Sequence, residues 1–134
     1  MQATQLVDPS STQPIDWISL TRQGVSKQLM LQVQDYLELS QKELADLLHL
    51  TPRTLQRMRE DQLLSPAASG HLLELVRLFR RAVEVLGSPS LANQWLRTAV
   101  PALNHVPPLA LLDTPFGIQW AFTLLGRIEH GVFS

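Results

Sequence analysis

Four times in this chain a hydroxyl side chain is followed at once by proline: Thr51-Pro52, Ser65-Pro66, Ser88-Pro89 and Thr114-Pro115. Each pair is a helix start. A Ser or Thr at the N-cap accepts an orphan backbone N–H, and proline at the first helical position lacks an N–H that would have no partner there. Ser40 and Glu43 supply a fifth start as a capping box. Between Ser26 and Leu37 the apolar residues Leu29, Met30, Val33, Tyr36 and Leu37 recur at helical spacing. No segment alternates as a strand would, so the fold class is all-α.

The stretch from Pro66 to Leu86 carries Leu72, Leu73, Leu75, Val76, Phe79, Val83 and Leu86 as one stripe, with Arg77, Arg80, Arg81 and Glu84 largely off it. Gly87 is its natural stop. This helix should join an N-terminal half to a C-terminal half. In the last helix, PFGIQWAFTLLGRIEHG, apolar residues point nearly all round, which implies burial on all sides. In so small a protein one of those faces is expected to meet another chain. Trp120 and Phe122 are the candidates for that dimer seam, Trp120 being equally readable as core. Residues 1–24 mix Ser, Thr, Gln and Pro and read as a flexible N-terminal tail. The apolar patch IDWISL within it is either an anchor on the core or a partner-binding segment.

LSQKELADLLHLTPRTLQRMRE, Leu39 to Glu60, has the layout of a helix-turn-helix. The first helix should run from about Gln41 to Leu48 and the second from Pro52 to about Arg59. Ala45 is the small residue two steeply crossing helices need. Leu44, Leu48, Leu55 and Met58 face inward. The turn usually carries glycine where this chain has His49, and histidine tolerates a left-handed backbone less well than glycine. Arg53, Thr54, Gln56 and Arg57 then project from the start of the second helix, where a recognition helix meets base edges. Gln41 and Lys42, at the front of the first helix, and Arg59 are candidate phosphate contacts. The competing reading is a solvated helical hairpin whose arginines touch only water.

Bulk properties narrow the classes. At 45% hydrophobic and 17% charged the chain should fold. It has no cysteine, which excludes disulfides and cysteine-ligated zinc and suits a reducing, cytoplasmic setting. There is no secretory leader pattern and no membrane-length apolar run. None of His49, His71, His105 and His130 forms a metal pair one helical turn apart, and P-loop and nucleophile-elbow motifs are absent. Neither an enzyme nor a cofactor is expected. A net charge of −1 excludes an extended basic coat, so a small DNA-reading face would need dimerisation as a second source of affinity.

From about Gly24 onward the chain resembles the Xre/MbcA/ParS antitoxins, most closely the Xre antitoxins paired with RES-domain toxins. The helix-turn-helix, LLSPAASGHLLELVRLFRRAVEVLGS, Trp95-Leu96, ALNHVPPLALLDTPFG and the closing LGRIEHGVFS carry the resemblance in that order. Asn104-His105 stand before the prolines where many relatives carry glycines, which leaves that loop's backbone open. The resemblance implies an Xre/Cro-like DNA-binding bundle over residues 25–64 and a helical toxin-binding and dimerisation domain over 65–134. It also implies an antitoxin that neutralises a RES-domain, NAD-degrading toxin by covering its active site, joins it in a higher toxin–antitoxin complex, and binds its own operator as a homodimer. On that reading Arg127, Glu129 and His130 are the expected toxin contacts, with Val132 and Phe133 as apolar anchors. The alternative is a free-standing helix-turn-helix regulator whose C-terminal half dimerises or senses a small ligand.

Overall fold

The computed structural model describes residues 14–131, so the expectations for Val132 and Phe133 lie outside the described residues. The chain forms two compact units, residues 1–76 and 77–134. The secondary structure is helical. Among the described residues the only β pairing is two isolated bridges, Ser26 with Leu63 and Val100 with Val106.

The first unit holds α1 (Pro14–Gln23), α2 (Lys27–Tyr36), α3 (Gln41–Leu48), α4 (Pro52–Arg57) and the start of α5 (Pro66–Leu86). The expected tail therefore contains a helix. Asp16 lies in its first turn and Arg22 in its last, both suited to the helix dipole. Trp17 and Leu20 are half-buried. The side chain of Thr21 comes so close to α5 that a Cβ on Gly70 would lie 3.2 Å from its methyl group. Of the two readings of IDWISL, this packing favours the anchor.

The strands of chain on either side of the helix-turn-helix are tied together. Leu64 N–H donates to Val25 O at 2.7 Å, Lys27 N–H to Gln62 O at 2.9 Å, and Gln28 N–H to Glu60 O at 3.1 Å. The fully buried Ser69 hydroxyl accepts from Val25 N–H at 2.8 Å. These bonds close the unit around Val25, Met30, Val33, Leu44, Leu72 and Val76, all inaccessible to solvent.

The second unit contains the rest of α5, then α6 (Pro89–Leu96), two short 3-10 turns (Pro101–Leu103 and Pro108–Leu111) and α7 (Pro115–Glu129). The boundary between units falls inside α5, later than the 64/65 division expected from sequence. The local caps explain why the helices begin where the sequence places them. Thr51, Ser88 and Thr114 each accept the N–H three residues on, and Ser65 accepts from Ala68 N–H at 3.1 Å. The Ser40–Glu43 capping box is complete in both directions.

Opposite net charges separate the two units. Residues 1–76 carry six Lys or Arg against nine Asp or Glu, a balance of −3; residues 77–134 carry five against three, a balance of +2. The unit with the helix-turn-helix is thus the acidic one. Asp35, Glu38 and Glu60 line an open groove of about 600 Å³ beside the exposed Leu31.

Candidate nucleic-acid and partner-binding surfaces

In the helix-turn-helix, α3 packs on α4 with Leu44, Ala45, Leu48, Leu55 and Met58 all buried. Its turn rests on His49, left-handed at φ 58 and ψ 39, whose N–H reaches back to the Ala45 and Asp46 carbonyls. Histidine therefore adopts the conformation glycine would take more easily. Thr51 then caps α4, accepting from Thr54 N–H at 3.0 Å, and its hydroxyl lies 2.9 Å from that of Thr54.

Arg53, Thr54, Gln56 and Arg57 are all exposed on α4. Gln56 Nε2 donates to Gln41 Oε1 at 3.2 Å, joining the fronts of the two helices. This bond leaves Gln56 one amide hydrogen and an acceptor oxygen. Lys42 pairs with Asp46 at 3.2 Å, one turn along α3, with side chains 81% and 63% exposed; such a pair constrains the lysine weakly.

Arg59 is not on the second helix. That helix stops at Arg57, because Met58 turns to an extended conformation (φ −66, ψ 140) and buries its side chain. Arg59 lies beyond, its backbone N–H donating to Gln62 Oε1 at 3.3 Å and its guanidinium 3.6 Å from Asp61. Sequence periodicity did not reveal this stop, since Met58 fits an inward helical position equally well.

In the second unit, the loop before α7 turns on two successive left-handed residues, Asn104 (φ 57) and His105 (φ 62). His105 N–H returns to Val100 O at 3.0 Å, closing the loop. These are the positions where glycines were expected from the family resemblance. Asparagine is among the residues that enter this conformation most readily.

One side of α7 is core: Ile118, Ala121, Leu124 and Leu125 are buried. Burial on every side is not reached within this one chain, where Ile128 is 37% exposed and two aromatic residues stand out, Phe116 at 87% and Trp120 at 37%. Both lie on the face shared by Thr123 and Arg127, at helical spacings of four, three and four residues. The Arg127 guanidinium sits 5.2 Å from the Trp120 ring centre. Phe122 is half-buried elsewhere on the helix, under the Arg77 guanidinium at 4.4 Å. Leu91 is exposed on α6, off the buried face formed by Ala92 and Leu96.

At the end of α7, Glu129 is hydrogen-bonded and ion-paired to Arg81 of α5, which also lies 3.8 Å from Glu84. His130 is exposed, with Nε2 3.9 Å from the Glu129 carboxylate. The bond from Arg81 holds the Glu129 carboxyl below the usual carboxylate range. A depressed folded-state value means that the pair's contribution is complete at neutral pH and vanishes as pH falls through the lowered titration. In Arg81→Met, carboxyl-carbon NMR should find the Glu129 midpoint moved upward to the ordinary range. An unmoved midpoint would show that Arg81 does not hold this carboxylate in solution.

Among the described residues no group of three or more His, Asp or Glu could hold a metal ion, and no helix is long and apolar enough to cross a membrane.

Comparison with known proteins follows the same two-part division. Residues 16–77 match the antitoxin Xre-like helix-turn-helix domain, and residues 81–131 the antitoxin Xre/MbcA/ParS C-terminal toxin-binding domain. The chain is 37% identical over 84 residues to Antitoxin Xre of Yersinia enterocolitica, covering 61% of this chain and 57% of that protein. It is 36% identical over 67 residues to Antitoxin Xre of Photorhabdus laumondii, covering 49% and 45%. These alignments thus span about half the length of each of those two relatives. The Prs ADP-ribosylating antitoxin of a Sphingobium species is 28% identical over 131 residues, covering 90% of this chain and 82% of that one. A similar fold occurs in the M. tuberculosis MbcT–MbcA toxin–antitoxin complex, with a TM-score of 0.55 at 22% identity, covering 76% of this chain and 91% of that chain. With an Xre-like helix-turn-helix followed in order by the toxin-binding domain, the chain belongs to the Xre/MbcA/ParS antitoxin family.

Proposed function

We propose that the chain is an antitoxin that binds and silences a cognate RES-domain, NAD-degrading toxin through its C-terminal unit and represses its own promoter through its N-terminal unit, acting as a homodimer. The observation that carries the reading is the exposed face of α7. Phe116 stands 87% exposed within a segment matched by the toxin-binding model. Single exposed apolar residues are ordinary, but an aromatic pair one turn apart on the exposed face of a helix is the composition of an interface centre.

The face is self-complementary. Laid antiparallel on a second copy, with the two-fold axis between Ala121 and Phe122, it sets Phe116 opposite the partner's Arg127 and Trp120 opposite the partner's Thr123. Such an isologous contact pairs cation with aromatic ring twice. We therefore assign Arg127 and Trp120 to the dimer, leaving Phe122 to its contact with Arg77. Glu129 and His130, at the end of the helix, are left to the toxin. The operator would be read by Arg53, Thr54, Gln56 and Arg57, with Gln41, Lys42 and Arg59 at the phosphates. The working division is DNA reading up to residue 76 and partner binding from residue 77.

Co-expression with the product of the adjacent reading frame tests the antitoxin reading. Growth arrest by that product alone, and its relief and co-purification with this chain, are the expected results. If no toxic neighbour is captured, a free-standing regulator is the better description. Phe116→Ser tests the dimer: light scattering should show the chain shift from dimer to monomer, with the dimer constant weakened by roughly tenfold or more. A wild-type chain that is already monomeric at micromolar concentration would remove the dimer assignment.

A further inference from the structure

The second helix of the helix-turn-helix has only six residues, Pro52–Arg57. A helix so short has almost no stability of its own, and its last carbonyls have no partner within it. Across the unit, Lys27 opens α2. Its ammonium donates to Met58 O at 2.8 Å and to Gln56 O at 3.4 Å. A cation is thus placed on the negative end of α4, where it satisfies released carbonyls and opposes the helix dipole. The neighbouring backbone holds it there: Lys27 N–H is itself bonded to Gln62 O at 2.9 Å. Lys27 is half-buried, whereas Arg53, Gln56 and Arg57 are exposed.

We infer that Lys27 is a positioning residue for DNA recognition, fixing where α4 ends and so the direction in which Gln56 and Arg57 leave it. The inference rests on the DNA-reading function proposed for this helix. It assigns Lys27 no contact with nucleic acid. The helix is held at its start by the Thr51 cap, along its side by Gln41, and at its end by Lys27. Of these three, the contact at the end comes from outside the helix-turn-helix, from 31 residues before Met58. Losing it would leave Gln56 and Met58 carbonyls to water and let the last turn, which carries Arg57, fray.

The test compares Lys27→Met and Lys27→Arg with the wild-type full-length chain, using a duplex of the promoter region upstream of its own gene. Lys27→Met should weaken duplex binding roughly tenfold, the scale of a lost charge-assisted hydrogen bond. Lys27→Arg, which keeps cation and donors, should recover most of it. Two readouts separate positioning from direct contact. The slope of log affinity against log salt should be unchanged in Lys27→Met, whereas loss of a phosphate contact would lower it by about one. Amide hydrogen exchange should accelerate at residues 55–58 and not at 41–48. Unaltered exchange at 55–58 would overturn the inference, as would a salt slope lowered by one. If the wild-type chain binds no promoter duplex, the DNA-reading function fails, and the exchange experiment still decides whether Lys27 holds the helix.

Discussion

Gly117→Ala should lower the stability of the C-terminal unit by about 3 kcal/mol or more, the upper range for forcing extra volume into a packed site. Thermal melting should fall by on the order of 15 °C. A Cβ at this position would lie 1.5 Å from the Leu111 carbonyl oxygen and 2.5 Å from its carbon. Both are backbone atoms, so no side-chain rotation relieves the clash. Residue 117 also provides the N–H capped by Thr114 at 3.0 Å, so moving it away from Leu111 endangers the start of α7. Gly126 is the internal control. It lies in the same helix with nothing within 4 Å of an added Cβ. Gly126→Ala should therefore stabilise by about 0.5–1 kcal/mol, since alanine loses less backbone freedom in a helix. Calorimetry of the two variants reads both effects. Equal melting temperatures would contradict the close approach of Leu111 to α7.

Replacing Arg53 or Arg57 by alanine has the next largest expected effect. An arginine paired with guanine contributes about 1–3 kcal/mol of discrimination. The proposed homodimer would lose the contact in both half-sites, so the total is roughly twice that, on the order of a hundred- to a thousand-fold in affinity for the mid-range. Both side chains are exposed, so folding should be unaffected. Capture of the proposed toxin partner should be unaffected too, since residues 81–131 carry the matched toxin-binding segment. Competition with mismatched duplexes distinguishes base reading from phosphate contact: a base-reading arginine loses discrimination at one position, a phosphate-binding one loses affinity uniformly. Wild-type binding by the double variant Arg53→Ala/Arg57→Ala would dismiss α4 as the reading element.

Much of this architecture was legible because its signals are local. A Ser or Thr cap acts three residues away, and all four hydroxyl-proline pairs and the Ser40–Glu43 box begin helices where they stand. Features that depend on distant partners were not legible. The contact that Lys27 makes at the end of α4 comes from 31 residues away, and the fixed carboxylate of Glu129 depends on Arg81, 48 residues earlier. Gly117 and Gly126 look alike in sequence, and only the approach of Leu111 separates them. Helix α1 was obscured by its polar surroundings; its packing against Gly70 supplies what its composition did not show. Phe116 counted toward an all-round apolar helix because spacing says nothing of whether a neighbour covers a given face.

The acidic balance of residues 1–76 bears on kinetics as well as affinity. A polyanion approaching this half meets net repulsion until the arginines of α4 come within a screening length, about 8 Å at physiological ionic strength. Productive collisions are then restricted to a narrow range of orientations, and long-range attraction does not accelerate them. Adding moderate salt should quicken encounter while hastening departure, an opposition of rates that a uniformly basic repressor would not display.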